Sequence, residues 1–165
     1  MGRLTWTWVY YILFRPSPWF LNSWRIFLLR LFGAKIGSAS IPSTVKVWAP
    51  WRLKVGDEVN LDENVNLYNV FGIEIEDRVI ISQGSFLCGA SHDYESPIYP
   101  LTGDCITVKS DSWITAECFI GPGVTVDSGT VVGSRAVVCN NLPAWSVVAG
   151  NPAKVIKERV LKNNI

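Results

Sequence analysis

A six-residue period governs this chain. Between Val108 and Leu142 one phase of the period is filled by Val108, Ile114, Ile120, Val126, Val132 and Val138. Four residues after each come Ser112, Cys118, Val124, Thr130, Ala136 and Leu142, mostly small or medium in size. A helical period of about 3.6 cannot hold that register, and simple alternation does not generate it. A fixed short repeat implies a solenoid, in which each repeat covers its apolar face only by stacking on the next. Hexapeptide spacing is the sequence form of a parallel β-helix. The aliphatic slot would fill the interior, and the small fifth residue would let the chain round a corner.

The same signature recurs upstream. Val55, Leu61 and Leu67 form one set, with Val59, Val65 and Phe71 at the fifth position. Ile75, Ile81 and Leu87 form another, with Val79, Ser85 and Ser91, and Ile36 with Ser40 begins the series. The phase slips by two between Leu67 and Ile75, which predicts a small insertion near residues 69–73. A longer break at 92–105 predicts a loop projecting from the scaffold. The register of 42–51 is not readable. The expected domain is therefore all-β over residues 33–152, followed by a short helix or extended tail at 153–165.

Residues 1–32 differ in kind. Trp6 to Phe14 is almost wholly aromatic and aliphatic, Arg15-Pro16-Ser17-Pro18 interrupts it, and Trp19 to Phe32 is a second apolar run. Proline stops a helix and restrains the residue before it. Neither run reaches the ~20 residues of a membrane span. A signal peptide is not expected, because Arg-Pro stands where a small-residue cleavage site would be needed. Two readings follow. A helical pair could cap the open end of the solenoid, as terminal repeats require. Alternatively, an interfacial segment could touch a membrane through aromatic and arginine anchors, among them Arg25 and Arg30.

With 15 basic and 14 acidic residues the chain has no excess charge to suggest a nucleic-acid partner. Four cysteines lack CxxC spacing and only one histidine is present, so no metal site is expected. The thiols fit a reducing cytoplasm. The single histidine, His92, follows Ser91 where the repeat breaks, with Asp93 next. Loops on a rigid scaffold commonly carry function, and a neutral imidazole with pKa near ~6.5 suits a general base.

Several motifs resemble one family. They are Ile81-Ser82-Gln83-Gly84, Ser91-His92-Asp93, Trp113-Ile114, Ile120-Gly121-Pro122-Gly123-Val124, Val132-Gly133-Ser134-Arg135-Ala136 and Ala149-Gly150-Asn151-Pro152-Ala153-Lys154. The chain is similar to the hexapeptide-repeat acetyltransferases, most of all to the subgroup of colanic acid and exopolysaccharide biosynthesis. The resemblance implies a left-handed parallel β-helix, a triangular prism of about six coils. It implies transfer of an acetyl group from acetyl-CoA to a sugar hydroxyl, with no metal, in a homotrimer whose sites lie between subunits. It places the general base on His92. It places CoA contacts on Ala116, Ser134, Cys139, Asn140, Lys154 and Lys157. Acceptor contacts fall on Asn64, Asn66, Asp93 and Trp113. The family commonly has Thr-Lys where this chain has Cys139-Asn140, which removes a cation for the CoA phosphates. A lipid-linked acceptor would place the enzyme in the cytoplasm, peripheral at the inner face of the membrane through residues 1–32. The reading of another class is a non-catalytic β-helix scaffold. A small-molecule acceptor such as an antibiotic is the alternative substrate.

Overall fold

Three parallel sheets wind around one aliphatic interior to form a triangular prism, in a computed structural model that describes residues 2–162. Face A stacks strands Lys35–Ile36, Leu53–Val55, Ile73–Ile75, Ile106–Val108 and Thr125–Val126. Face B stacks Ala39–Ser40, Val59–Leu61, Ile80–Ile81, Trp113–Ile114, Val131–Val132 and Ser146–Ala149. Face C stacks Lys46–Val47, Asn66–Tyr68, Phe86–Cys88, Phe119–Ile120 and Val137–Val138. The chain visits A, B and C in turn, giving five full coils. Leu142, bridged to Val126, and Ser146–Ala149 make a partial sixth.

The hexad phase is the interior. Val108, Ile114, Ile120, Val126, Val132 and Val138 are all buried, and so are their fifth-position partners from Ser112 to Leu142. A two-residue strand directs one side chain inward and the corner residue supplies a second, while three-residue strands such as Ile73–Ile75 bury both end residues. Parallel strands then repeat that pattern at the ~4.8 Å interstrand spacing. Corners turn through single residues of positive φ, such as Asn64 at 60°, Glu117 at 58° and Arg135 at 62°.

Coil length explains the phase slip. Thr107 pairs with Thr125, Trp113 with Val131 and Phe119 with Val137, an eighteen-residue coil. Upstream, Leu53 pairs with Ile73, Asn60 with Ile80 and Asn66 with Phe86, so these coils hold twenty. The two added residues lie at the corner after Tyr68. There Asn69 is buried and its amide bonds Ala49 N–H and C=O at 2.9 and 2.7 Å. Phe71, expected at an inward slot, is exposed for this reason. Ser40 is likewise exposed, its inward place taken by Ile41. The unreadable stretch 42–51 holds strand Lys46–Val47 and a 3₁₀ turn Pro50–Arg52.

The break at 92–105 is a β-hairpin rather than a loop. Ala90–His92 pairs antiparallel with Leu101–Gly103, and Ser91 therefore faces out instead of filling the interior. Gly103 must be glycine, since a Cβ would meet Gly89 O at 2.3 Å and Phe71 at 2.7 Å. The hairpin leaves the prism at the C/A edge and widens that coil to thirty-three residues, Ile73 pairing with Ile106.

Residues 3–32 form a cap. Helix α1 (Arg3–Val9) runs into a π turn (Tyr10–Phe14), and helix α2 (Asn22–Leu31) follows. Trp6, Phe14, Leu28 and Leu29 bury themselves on the first coil. The open strand edges of that coil need partners, because buried backbone polar groups without them are costly. Trp6 Nε1 donates to Val47 O, Asn22 bonds Ala39 O and Ile41 N, Arg25 donates to Ile41 O, and Arg30 to Ile36 O. Arg25 is buried and also donates to Ser17, Pro18 and Trp19. Arg25 thus serves the cap from within, whereas Arg30 ties α2 to Ile36 from the surface and stays exposed. No helix among the described residues is long and apolar enough to cross a membrane.

Of the two forms expected for the tail, the extended one is present. Lys154–Glu158 pairs antiparallel with Ser146–Ala149. Arg159 clamps it by donating to Asp111 O and Gly129 O, both at 2.8 Å. Residues 163–165 of the expected tail, like Met1 of the N-terminal segment, lie outside the described residues.

Candidate active site

His92 ends the first strand of the hairpin and is exposed. Its Nδ1 lies 2.6 Å from the carbonyl oxygen of Tyr99. A carbonyl only accepts, so Nδ1 carries the proton and Nε2 is left with a free lone pair. The hairpin enforces this contact through its tip. Asp93 N–H donates to Pro100 O, and Tyr99 N–H to Ser96 O, with Tyr99 held at φ 45°. Asp93 is partly committed to the same turn, one carboxylate oxygen accepting from Glu95 N–H at 3.0 Å. An imidazole oriented by a backbone carbonyl, with Nε2 facing solvent, can take a proton from a hydroxyl.

The other residues expected at the site fall on two further parts of the prism. Trp113 stands on face B, 43% exposed, its indole N–H donating to Ser82 Oγ at 3.0 Å. Ala116 and Ser134 are stacked at the B/C edge on successive coils, where Ala116 O accepts from Arg135 N–H. Ser134 Oγ donates to Thr115 Oγ1 at 3.1 Å beside the exposed Arg135–Glu117 ion pair. Lys154 and Lys157 lie on the outermost strand of face B, opposite Ala149 and Val147. Cys139 and Asn140 are exposed at the C/A edge, the edge that carries the hairpin. Asn64 is a corner residue in the left-handed region, its N–H on Thr44 Oγ1. Asn66 lies on face C and lines a cavity under the cap.

A single prism therefore does not gather these residues. His92, Asp93, Cys139 and Asn140 share one edge, while Trp113, Ala116, Ser134, Lys154 and Lys157 belong to face B and its far edge. Tyr99, which orients the imidazole, and Ser82, which holds the indole, have no local sequence signal. Ser82 stands thirty-one residues from Trp113 and meets it only through coil stacking. Among the described residues no three His, Cys, Asp or Glu side chains converge as a metal site. All four cysteines are free thiols, and burial pushes those of Cys118 and Cys105 upward in pKa.

No protein-family model matches the chain. The WcaF protein of Escherichia coli K12, named for colanic acid biosynthesis as an acetyltransferase, is 46% identical over 149 residues. That match covers 90% of this chain and 82% of the relative. The chain belongs to the hexapeptide-repeat acetyltransferases. The structure of a maltose O-acetyltransferase from Clostridium difficile 630 superposes with a TM-score of 0.87 at 22% identity, covering 96% of this chain and 87% of that one. A galactoside acetyltransferase in complex with coenzyme A gives 0.87 at 24% identity, covering 94% and 80%. The prism is thus the left-handed β-helix of this family, and the chain is an acyltransferase.

Proposed function

We propose that this acetyltransferase moves the acetyl group of acetyl-CoA to a hydroxyl of a glycan, in exopolysaccharide or lipid-linked oligosaccharide biosynthesis, as a cytoplasmic homotrimer. The observation that carries the mechanism is the Tyr99 carbonyl on His92 Nδ1. Nε2 accepts the proton of the acceptor hydroxyl while the oxygen attacks the thioester carbonyl. The tetrahedral adduct collapses, the C–S bond breaks, and the CoA sulfur leaves with the proton returned from Nε2. The oxyanion formed on the way needs an N–H donor.

The separation of His92 from Trp113 supports a site completed by a second subunit, with CoA along the groove between prisms. In that groove Ala116, Ser134, Cys139, Asn140, Lys154 and Lys157 line the CoA path, the lysines meeting its phosphates. Asn64, Asn66, Asp93 and Trp113 face the acceptor. The capping segment contacts the inner face of the membrane, where a lipid-linked glycan would be found.

His92→Ala tests the reading. Transfer should fall about 10²–10⁴-fold with the fold unchanged by circular dichroism. A variant that keeps a tenth of the rate would remove His92 as the base.

A further inference from the structure

The cap buries one side of its helices and leaves the other bare. Leu4, Trp8, Tyr11, Ile12, Trp19 and Phe20 are each at least 60% exposed. Beside this face, between α1 and face C, lies a cavity of about 290 Å³ lined by Arg3, Tyr11, Lys46, Trp48, Asn66 and Tyr68. The Arg3 guanidinium lies over the Trp48 ring, and its Nε and Nη1 have no hydrogen-bond partner among the described residues. A sequestered cation without an anion calls for one, and no carboxylate is near in sequence. The first 56 residues hold eight Lys and Arg and no Asp or Glu; the other seven cations and all 14 carboxylates follow.

We propose that this cleft binds the phosphoryl group of an anionic amphiphile at the membrane surface, with Arg3 and Lys46 as its cationic partners and the bare face of the cap lying in the lipid. Arg3 and Lys46 both line the cavity, in the chain's most cationic segment; the unpartnered Nε and Nη1 of Arg3 carry three N–H donors, and Lys46 adds a mobile charge. Exposed tryptophan and tyrosine beside cations is the pattern of a bilayer interface. A second copy of the chain fits less well, since pairing cap to cap would set one carboxylate-free surface against another. The phosphate could belong to a phospholipid headgroup or to the link between a glycan and its lipid carrier. This inference rests on the membrane contact proposed above for residues 1–32 and specifies its chemistry.

The test is sedimentation of the full-length protein with phosphatidylglycerol vesicles, against phosphatidylcholine vesicles, at low salt. The wild type should pellet with the anionic vesicles only. Arg3→Gln with Lys46→Gln should weaken binding about twenty-five-fold, at roughly fivefold for each cation near an anionic surface. The single variants keep the test open should the double variant misfold. If wild type stays in the supernatant, the membrane contact and this site both fall. If wild type pellets and the double variant pellets equally well, only the phosphate site falls. Titration calorimetry separates the sources. Heat with dihexanoyl phosphatidylglycerol marks a phospholipid headgroup, heat only with a short-chain prenyl-phosphate-linked sugar marks the glycan–lipid link, and heat with inorganic phosphate alone or with none of the three overturns the proposal. Salt-insensitive association through the cap in sedimentation velocity would also overturn it. His92→Ala protein should pellet like wild type, so a failure of catalysis is read apart from a failure of this site.

Discussion

In the proposed mechanism Tyr99 does for His92 what a carboxylate does in many other bases, using only a backbone oxygen. That makes the base sensitive to the backbone at Tyr99 rather than to its side chain. Tyr99 is at φ 45°, a region closed to β-branched residues and open to glycine. Tyr99→Val should move the carbonyl off Nδ1 and lower kcat about tenfold or more, with KM for acetyl-CoA unchanged. Tyr99→Gly should keep most of the rate. Steady-state kinetics of the two variants separates a positioning role from bulk destabilisation. The place of His92 was legible in the sequence, as the single histidine at the break in a repeat. Tyr99 was not, because its contribution is a carbonyl whose direction depends on hairpin pairing. Phe71 and Ser91 misled for a related reason: a period counted along the chain does not see residues added at a corner.

The repeated element is the corner as much as the strand. At the A/B edge Asp57 accepts from Ser38 N–H at 2.7 Å, Asp111 pairs with Arg78, and Asp127 accepts from Ser128 N–H. These hydrogen bonds hold all three carboxyls below the ordinary value of 3.8. A depressed folded pKa gives stability that is present above the ordinary value and lost as pH falls through it. The thermal midpoint should therefore be flat down to about pH 5 and drop below about pH 4, as a melting series in acetate and glycine buffers would show. The cap is a second element with a definite cost. Trp6→Phe keeps an aromatic ring but removes the donor to Val47 O and trims a buried side chain, and should cost about 1–3 kcal/mol in chemical denaturation. Deleting residues 1–32 would bare Ile41, Val45 and Val47 together with the strand edges they border, so the truncated protein should aggregate. The apolar character of that segment was legible, and a cap on the open coil was one of the two roles read from it. How the cap is fastened was not, because the contacts that do it, such as Arg25 to Ile41, span sixteen residues and leave no periodic trace.

For the whole molecule, the distribution of the proposed site residues over separate faces makes assembly testable without a structure of the assembly. If His92 of one subunit works with Trp113 of another, His92→Ala and Trp113→Ala proteins should complement when co-expressed. Random mixing gives each intersubunit site one chance in about four of drawing both intact residues, so activity should return to roughly a quarter of wild type. No recovery would place both residues in one chain's site. Ser134→Trp should weaken CoA without unfolding the coil. Ile120→Asp should do the reverse, since an unpaired carboxylate at a fully buried position costs several kcal/mol.

The unequal coils, eighteen residues in one half, twenty in the other and thirty-three at the hairpin, have a consequence for how such a protein can change. The ladder constrains what points inward and what pairs, but places no limit on how much chain is spooled out at an edge before it returns. Length at an edge is therefore nearly free to vary, whereas length within a face is not. A hairpin of another size or sequence, spliced between Gly89 and Gly103, would meet the same strands on its return. On the proposed reading, in which the hairpin meets the acceptor, acceptor choice would diverge rapidly among proteins whose interiors remain interchangeable, because the hairpin is a replaceable cassette on a frame that does not register the exchange.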